Sequence, residues 1–328
     1  MFKSLLPTDS KIFFSKNDPQ DIRLGDLIEP IEADRISQLT SLKNKYAVIS
    51  YPDDEGISLN GGRLGAKEAP SVIKTFLYKM TPALKKESID FHFCDVGSIS
   101  TDQTLNDKHE NALKVCHELY QNNYKIISLG GGHDYGYSDG AAFIKASLSK
   151  NNSVKPLIIN FDAHLDVRPN NHSNHSGTPF YRLKNEFKSS FDLIEVGLQP
   201  QCNSIYHWNW ALEQNISLLS LNEIEESRWA RFYNHPLIDQ LTPSTPVMIS
   251  MDMDAIRSAD AGGCSQSWPT GLRLKDVIDC IHFISHKAQL QGLGIYEVAP
   301  CFDHDFKTSK AAALLIYNVL FSNALQRN

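Results

Sequence analysis

Short, unbroken apolar runs recur along the chain, and their length and spacing predict its architecture. They are YAVIS (46–50), FHFCDV (91–96), KIISLG (125–130), LIINFD (157–162), LIEVGL (193–198), ISLLSL (216–221), VMISMD (247–252) and GLGIYEV (292–298). Because they do not alternate with polar residues, they read as strands covered on both faces. Helical spacing appears between them: Ala112, Val115, Cys116 and Leu119 follow i, i+3, i+4, i+7, and so do Leu274, Val277, Ile278 and Ile281. An Ala-rich segment at 310–321 closes the chain. Strand–helix alternation over eight strands predicts right-handed crossovers and a mainly parallel sheet in an α/β domain, either doubly wound or closed as a barrel. No Gly/Ser/Pro-rich linker interrupts the pattern. The expected organisation is an N-terminal arm, residues 1–44, followed by one catalytic domain, residues 45–328.

Composition narrows the class. Of the 328 residues 41% are hydrophobic and 21% charged, ordinary proportions for a globular protein. No run approaches the roughly 18 apolar residues a membrane span needs, and MFKSLLPTDSKIFF has neither the apolar core nor the cleavage site of a signal peptide. Six cysteines without a CxxC pair argue against a thiolate zinc site or a disulfide framework, and fit a reducing, cytoplasmic setting. A net charge of −6 without a basic run makes nucleic acid a poor partner.

Three motifs sit just past strand ends, where α/β enzymes place active sites. KIISLG leads into Gly-Gly-His133-Asp134, LIINF into Asp162-Ala-His164-Leu-Asp166, and VMISM into Asp252-Met-Asp254. In extended chain, positions two apart project to one side, so each of the last two motifs aims several ligand-type side chains one way. Like charges about 4 Å apart repel by about 4 kcal/mol even at an effective dielectric near 20. Four clustered carboxylates therefore call for compensation, and two divalent cations supply it. Taken singly, an Asp-x-Asp at a strand end is more often a helix cap or a solvated turn. All three motifs in one chain point instead to a dinuclear metal centre built from His133, Asp162, His164, Asp166, Asp252 and Asp254. Such centres activate water near neutral pH. Oxygen and imidazole donors without sulfur favour Mn²⁺, two ions per chain, with Zn²⁺, Fe²⁺ and Ni²⁺ as alternatives.

GGGHD, DAHLD and SMDMD resemble the three metal-binding motifs of the ureohydrolase superfamily of arginases, agmatinases and formimidoylglutamases, and the chain is identified as a member of it. The resemblance implies a three-layer α/β/α fold with a mostly parallel eight-stranded sheet, a dimanganese site and homo-oligomers. It also implies that His133, Asp162, Asp166 and Asp252 hold one ion, that Asp162, His164, Asp252 and Asp254 hold the other, and that Asp162 and Asp252 bridge.

Within the superfamily three segments look most like the formimidoylglutamase group: DEG (54–56) with NGGRLGA (60–66), INFDAHLDVR (159–168) with Ser176-Gly-Thr178-Pro-Phe, and Tyr296-Glu297-Val-Ala-Pro. The resemblance implies a linear amidine as substrate, N-formimidoyl-L-glutamate, cleaved to L-glutamate and formamide as in histidine breakdown. Glu297 would face the cationic amidine head and Asp166 would relay a proton. The tail carboxylates want planar two-pronged donors, and Arg168 and Arg63 are the candidates, with Asn60 and Ser176 as further contacts. Departures from the pattern are clear. Ser176 stands where arginases and agmatinases carry a His; His175, one place earlier, is a candidate general acid, although a loop His is more often a surface residue. After Asp254 the usual Asp-Pro is replaced by AIRSADAGGCSQSWPTG, which brings Cys264 and Trp268 towards the expected pocket. The alternatives are a guanidinobutyrase, arginase or agmatinase, or, in a different class, a non-catalytic, metal-free regulatory relative.

Overall fold

The structure, a computed structural model, describes residues 5–31, 44–82, 91–151 and 153–322. Ten strands form one sheet: β1 (Leu5–Leu6), β2 (Ile28–Pro30), β3 (Lys45–Ser50), β4 (His92–Ile99), β5 (Tyr124–Leu129), β6 (Leu157–Phe161), β7 (Asp192–Leu198), β8 (Ser217–Ser220), β9 (Pro246–Asp252) and β10 (Gln289–Tyr296). Their order is β1-β4-β3-β5-β10-β9-β6-β7-β8, with β2 also on β4. Every pairing is parallel except that of β1 with β4.

All eight strands expected from the apolar runs are present. The two additional strands lie in the arm, which is thus more regular than expected, and both dock on β4. Residues 1–4 and 32–43 of the arm lie outside the described residues, as do 323–328. Thr8 adds a side-chain tie, its hydroxyl donating to buried Asp95 at 2.9 Å, and the same carboxylate pairs with Lys74 at 2.9 Å.

The sheet is open and covered on both faces, a three-layer α/β/α arrangement. Two buried clusters explain the continuous apolar runs. Leu157, Ile159 and Phe161 of β6, with Val247, Ile249 and Met251 of β9, pack on one face beneath helices Ala69–Leu77, Leu274–Lys287 and Lys307–Leu320. Ile158 and Met248 pack on the other, beneath helices Leu105–Gln121, Gly136–Lys150 and Pro179–Phe187. Asn160 and Asp162, like Ser250 and Asp252, fall on the Ile158/Met248 side by the two-residue repeat of a strand. Among the described residues no helix is long and apolar enough to cross a membrane.

Candidate metal centre

Asp162 and Asp252 stand at the ends of β6 and β9, whereas backbone turns, rather than extended chain, deliver His133, His164, Asp166 and Asp254. Gly131 has room for no side chain: a Cβ there would lie 1.5 Å from the Asp53 carbonyl oxygen, while its N–H donates to the Tyr51 carbonyl at 2.9 Å. This close approach delivers His133 to the C-terminal end of the sheet, where it begins a short helical turn and is fully buried. Asp162 follows β6 directly, its N–H donating to the Val196 carbonyl at 3.1 Å. The expectation that Asp162, His164 and Asp166 align by extended alternation is corrected here. The chain bends after Asp162, and Asp166 has left-handed backbone, φ 48°. Likewise Met253–Ala255 is a helical turn, and Asp254 N–H donates to Asp252 Oδ1 at 2.9 Å. Local carboxylate–amide bonds of this kind stabilise a tight turn that an extended chain would not make.

The six predicted side chains come together in two sets. His133, Asp162, Asp166 and Asp252 present one ligand atom each within 4.8 Å of one another, and so do Asp162, His164 and Asp254. Asp162 belongs to both sets, as expected of a bridging carboxylate. Asp252 belongs to the first alone; its Oδ1 is held by the Asp254 amide and its Oδ2 lies 3.2 Å from His133 Nδ1.

The chemistry of the first set fits a cation. His133 Nε2 is satisfied by the Ser250 hydroxyl at 2.8 Å. Its Nδ1 has carboxylate oxygens of Asp162, Asp166 and Asp252 at 3.1, 3.0 and 3.2 Å, yet makes no hydrogen bond. One ring nitrogen carries at most one proton and cannot satisfy three anions. A divalent ion among these four atoms would. His164 Nδ1 stands similarly 3.1 Å from Asp254 and 3.4 Å from Asp162, and Asp254 Oδ1, buried, has no partner.

The electrostatics agree. Burial alone would depress His133, but the three carboxylates carry it well above its usual value. Burial, then the neighbouring charges of Asp254 and Asp162, hold Asp252 well above the carboxylate range, and burial raises Asp254. Such protons are what two cations displace.

A cavity of about 290 Å³ opens onto this cluster, lined by His164, Asp166, Asp252, Asp254 and Glu297. Glu297 has left-handed backbone, φ 65°, and its Oε1 accepts the His133 N–H at 3.0 Å. Burial pushes its carboxyl up to about 8. Asn60, Arg168 and Ser176 line the same cavity. Arg168 Nη1 donates to Asn60 Oδ1 at 2.5 Å, and Asn60 Nδ2 donates to Ser176 Oγ at 2.9 Å. Among the described residues Arg168 has no carboxylate partner.

Arg63 is a correction. It does not line the cavity; its Nε and Nη2 donate to the carbonyls of Ser265 and Cys264, each at 2.9 Å, and its guanidinium lies on Phe302, 4.1 Å from the ring centre. These bonds use the Nε–Nη2 edge of the guanidinium to fasten the 264–265 segment, away from the cavity lining. His175 is also outside the lining; its Nδ1 accepts the Gly177 N–H at 3.2 Å. In the altered loop, Trp268, Gln266 and Ser265 reach the cavity, whereas Cys264 is buried in a bridge to Val298. Gln201 and Cys202 line the cavity without having been expected; they follow β7 and carry no motif.

The chain is 27% identical over 300 residues to the formimidoylglutamase of Legionella pneumophila strain Paris, covering 88% of this chain and 89% of that protein. Its fold matches the crystal structure of Trypanosoma cruzi formiminoglutamase with Mn²⁺, TM-score 0.79 at 24% identity, over 94% of this chain and 100% of that one. It also matches the formimidoylglutamase of Bacillus subtilis, TM-score 0.79 at 24% identity, over 96% of each. The Arginase family model matches residues 44–322, and the chain therefore belongs to the arginase family.

Proposed function

We propose that this protein is a dimanganese hydrolase that cleaves N-formimidoyl-L-glutamate to L-glutamate and formamide. The observation that carries the reading is the polarity of one cavity. Four of the ligand side chains, His164, Asp166, Asp252 and Asp254, line it together with the buried carboxyl of Glu297, and so does Arg168, a cation without an ion-pair partner among the described residues. The substrate has the complementary polarity, a cationic amidine head and an anionic tail. The names of the relatives from L. pneumophila and B. subtilis support the same activity.

Manganese, held by the two ligand sets, would acidify water and supply positive charge beside the attacking oxygen. The chain's own groups do the rest. Glu297 holds the amidine nitrogens through charge-assisted hydrogen bonds. Cations held in the adjacent ligand sets, together with the amidine's own charge, would favour its ionised form and oppose the effect of burial. Asp166, at the cavity wall, takes the proton that water gives up on attacking the formimidoyl carbon. It returns that proton to the nitrogen of glutamate as the carbon–nitrogen bond breaks. Arg168, its Nη1 fixed by Asn60, pairs with a tail carboxylate, and Ser176 keeps Asn60 in place. Convergence of all six ligand side chains supports an enzyme over a metal-free regulatory relative. The test is product identification: protein loaded with Mn²⁺ and given formimidoylglutamate should release formamide and glutamate in equal amounts, followed by NMR. Unchanged substrate contradicts the proposal.

A further inference from the structure

One step down the strands from the metal-facing carboxylates lies a buried polar layer. Asn160 of β6 pairs in register with Ser250 of β9 on one side and Glu195 of β7 on the other. Asn160 and Glu195 have no exposed surface, and Ser250 is 1% exposed. Ser250 supports His133, as described. Glu195 has no such evident purpose. It does not line the cavity, and among the described residues no Lys or Arg pairs with it. Burying a carboxyl group inside an otherwise apolar strand is unfavourable unless its hydrogen bonds do something in return.

Its hydrogen bond leads to the metal centre. Asn160 Nδ2 donates to Glu195 Oε2 at 2.7 Å, and the same nitrogen lies 3.3 Å from Asp162 Oδ2. An amide nitrogen has two hydrogens in one plane, so committing one to Glu195 aims the other at Asp162. The opposite oxygen, Asp162 Oδ1, accepts the His164 N–H at 2.7 Å. The carboxylate common to both ligand sets is thus clamped at both ends. We propose that Glu195 is a positioning residue that, through Asn160, fixes the plane of the Asp162 carboxylate so that one oxygen faces each metal site. A bridging carboxylate free to rotate would serve one ion at the expense of the other; outer partners of this kind typically change metal affinity by about ten- to a hundredfold.

The inference rests on the dimanganese reading of the cluster and not on the substrate. Its test is Mn²⁺ binding by the whole protein without substrate, read by calorimetric titration and by the electron paramagnetic resonance signature of an exchange-coupled ion pair. Glu195→Leu and Asn160→Leu should each weaken binding of the second ion by about ten- to a hundredfold and diminish the coupled signal. Glu195→Gln, which keeps an acceptor of the same shape, should stay near wild type. The double Leu variant should bind no worse than Asn160→Leu alone, because one residue acts through the other. Unaltered affinity and coupling in Glu195→Leu, full additivity in the double variant, or equal losses in Glu195→Gln and Glu195→Leu would each overturn the proposal. If wild-type protein binds no Mn²⁺, the metal reading falls and this inference with it; if wild type binds two ions and Glu195→Leu does so equally well, only this inference falls.

Discussion

Replacing Arg168 with Ala removes a cation that lines the cavity and is held by a single side-chain bond, Nη1 to Asn60 Oδ1. A hydrogen bond to a charged group contributes about 1.5–3 kcal/mol, and 1.4 kcal/mol corresponds to about tenfold. Arg168 is half-buried, so solvent screens part of this, and the lower half of the range applies: about ten- to fortyfold in kcat/KM. The tail does not react, so the loss should fall mainly on KM. Arg168→Lys keeps the charge but not the fork that Asn60 orients, and should restore only part of the loss. The assay compares formimidoylglutamate with a simple N-alkylformamidine that lacks both carboxylates, in wild type and Arg168→Ala. The simple amidine should lose little. Equal losses on both substrates would show that the Arg168 side chain supports the 166–178 loop through its bond to Asn60, and would refute the tail-binding argument.

Other consequences concern the centre and its scaffold. Asp162→Ala should abolish turnover and weaken both ions, because its oxygens belong to both ligand sets, whereas His164→Ala should affect mainly one ion and recover in part at high Mn²⁺; retention of two tightly bound ions by Asp162→Ala contradicts the shared-ligand geometry. Mn²⁺ affinity should rise with pH, since His133, Asp252 and Asp254 are all held above their usual values in the metal-free cluster and must give up protons as metal binds. Calorimetry in buffers of differing ionisation enthalpy should therefore show proton release, and pH-independent affinity would count against it. Gly131→Ala should destabilise the fold by more than about 3 kcal/mol, because the new Cβ meets the Asp53 carbonyl oxygen; an unchanged melting temperature would show that the segment can move aside.

Much of this was legible in the chain because its strongest signals are local. Buried parallel strands need continuous apolar runs, and the metal motifs follow three of those runs directly. The arm strands escaped because Leu5–Leu6 and Ile28–Pro30 are too short to carry a period and exist only through pairing with β4. Extended alternation grouped side chains that do converge, but for the wrong reason: the convergence of Asp166 depends on a left-handed residue that nothing in DAHLD announces. Arg63 is a tail candidate by its guanidinium chemistry, but carbonyls about 200 positions further along the chain engage its Nε and Nη2. Glu195 did leave a trace, a carboxylate inside the apolar run LIEVGL. Its meaning appears only when Asn160 is seen beside it.

A cavity lined by metal-ligand carboxylates, Glu297 and Arg168 suits a cationic amidine head and an anionic tail. The most direct measurement is kcat/KM, with Mn²⁺ present, for N-formimidoyl-L-glutamate, arginine, agmatine and 4-guanidinobutyrate in parallel. Formimidoylglutamate should exceed each of the others by at least about a hundredfold, the worth of one matched charged contact plus a fitted head. A guanidino compound turned over as fast as, or faster than, formimidoylglutamate would contradict it.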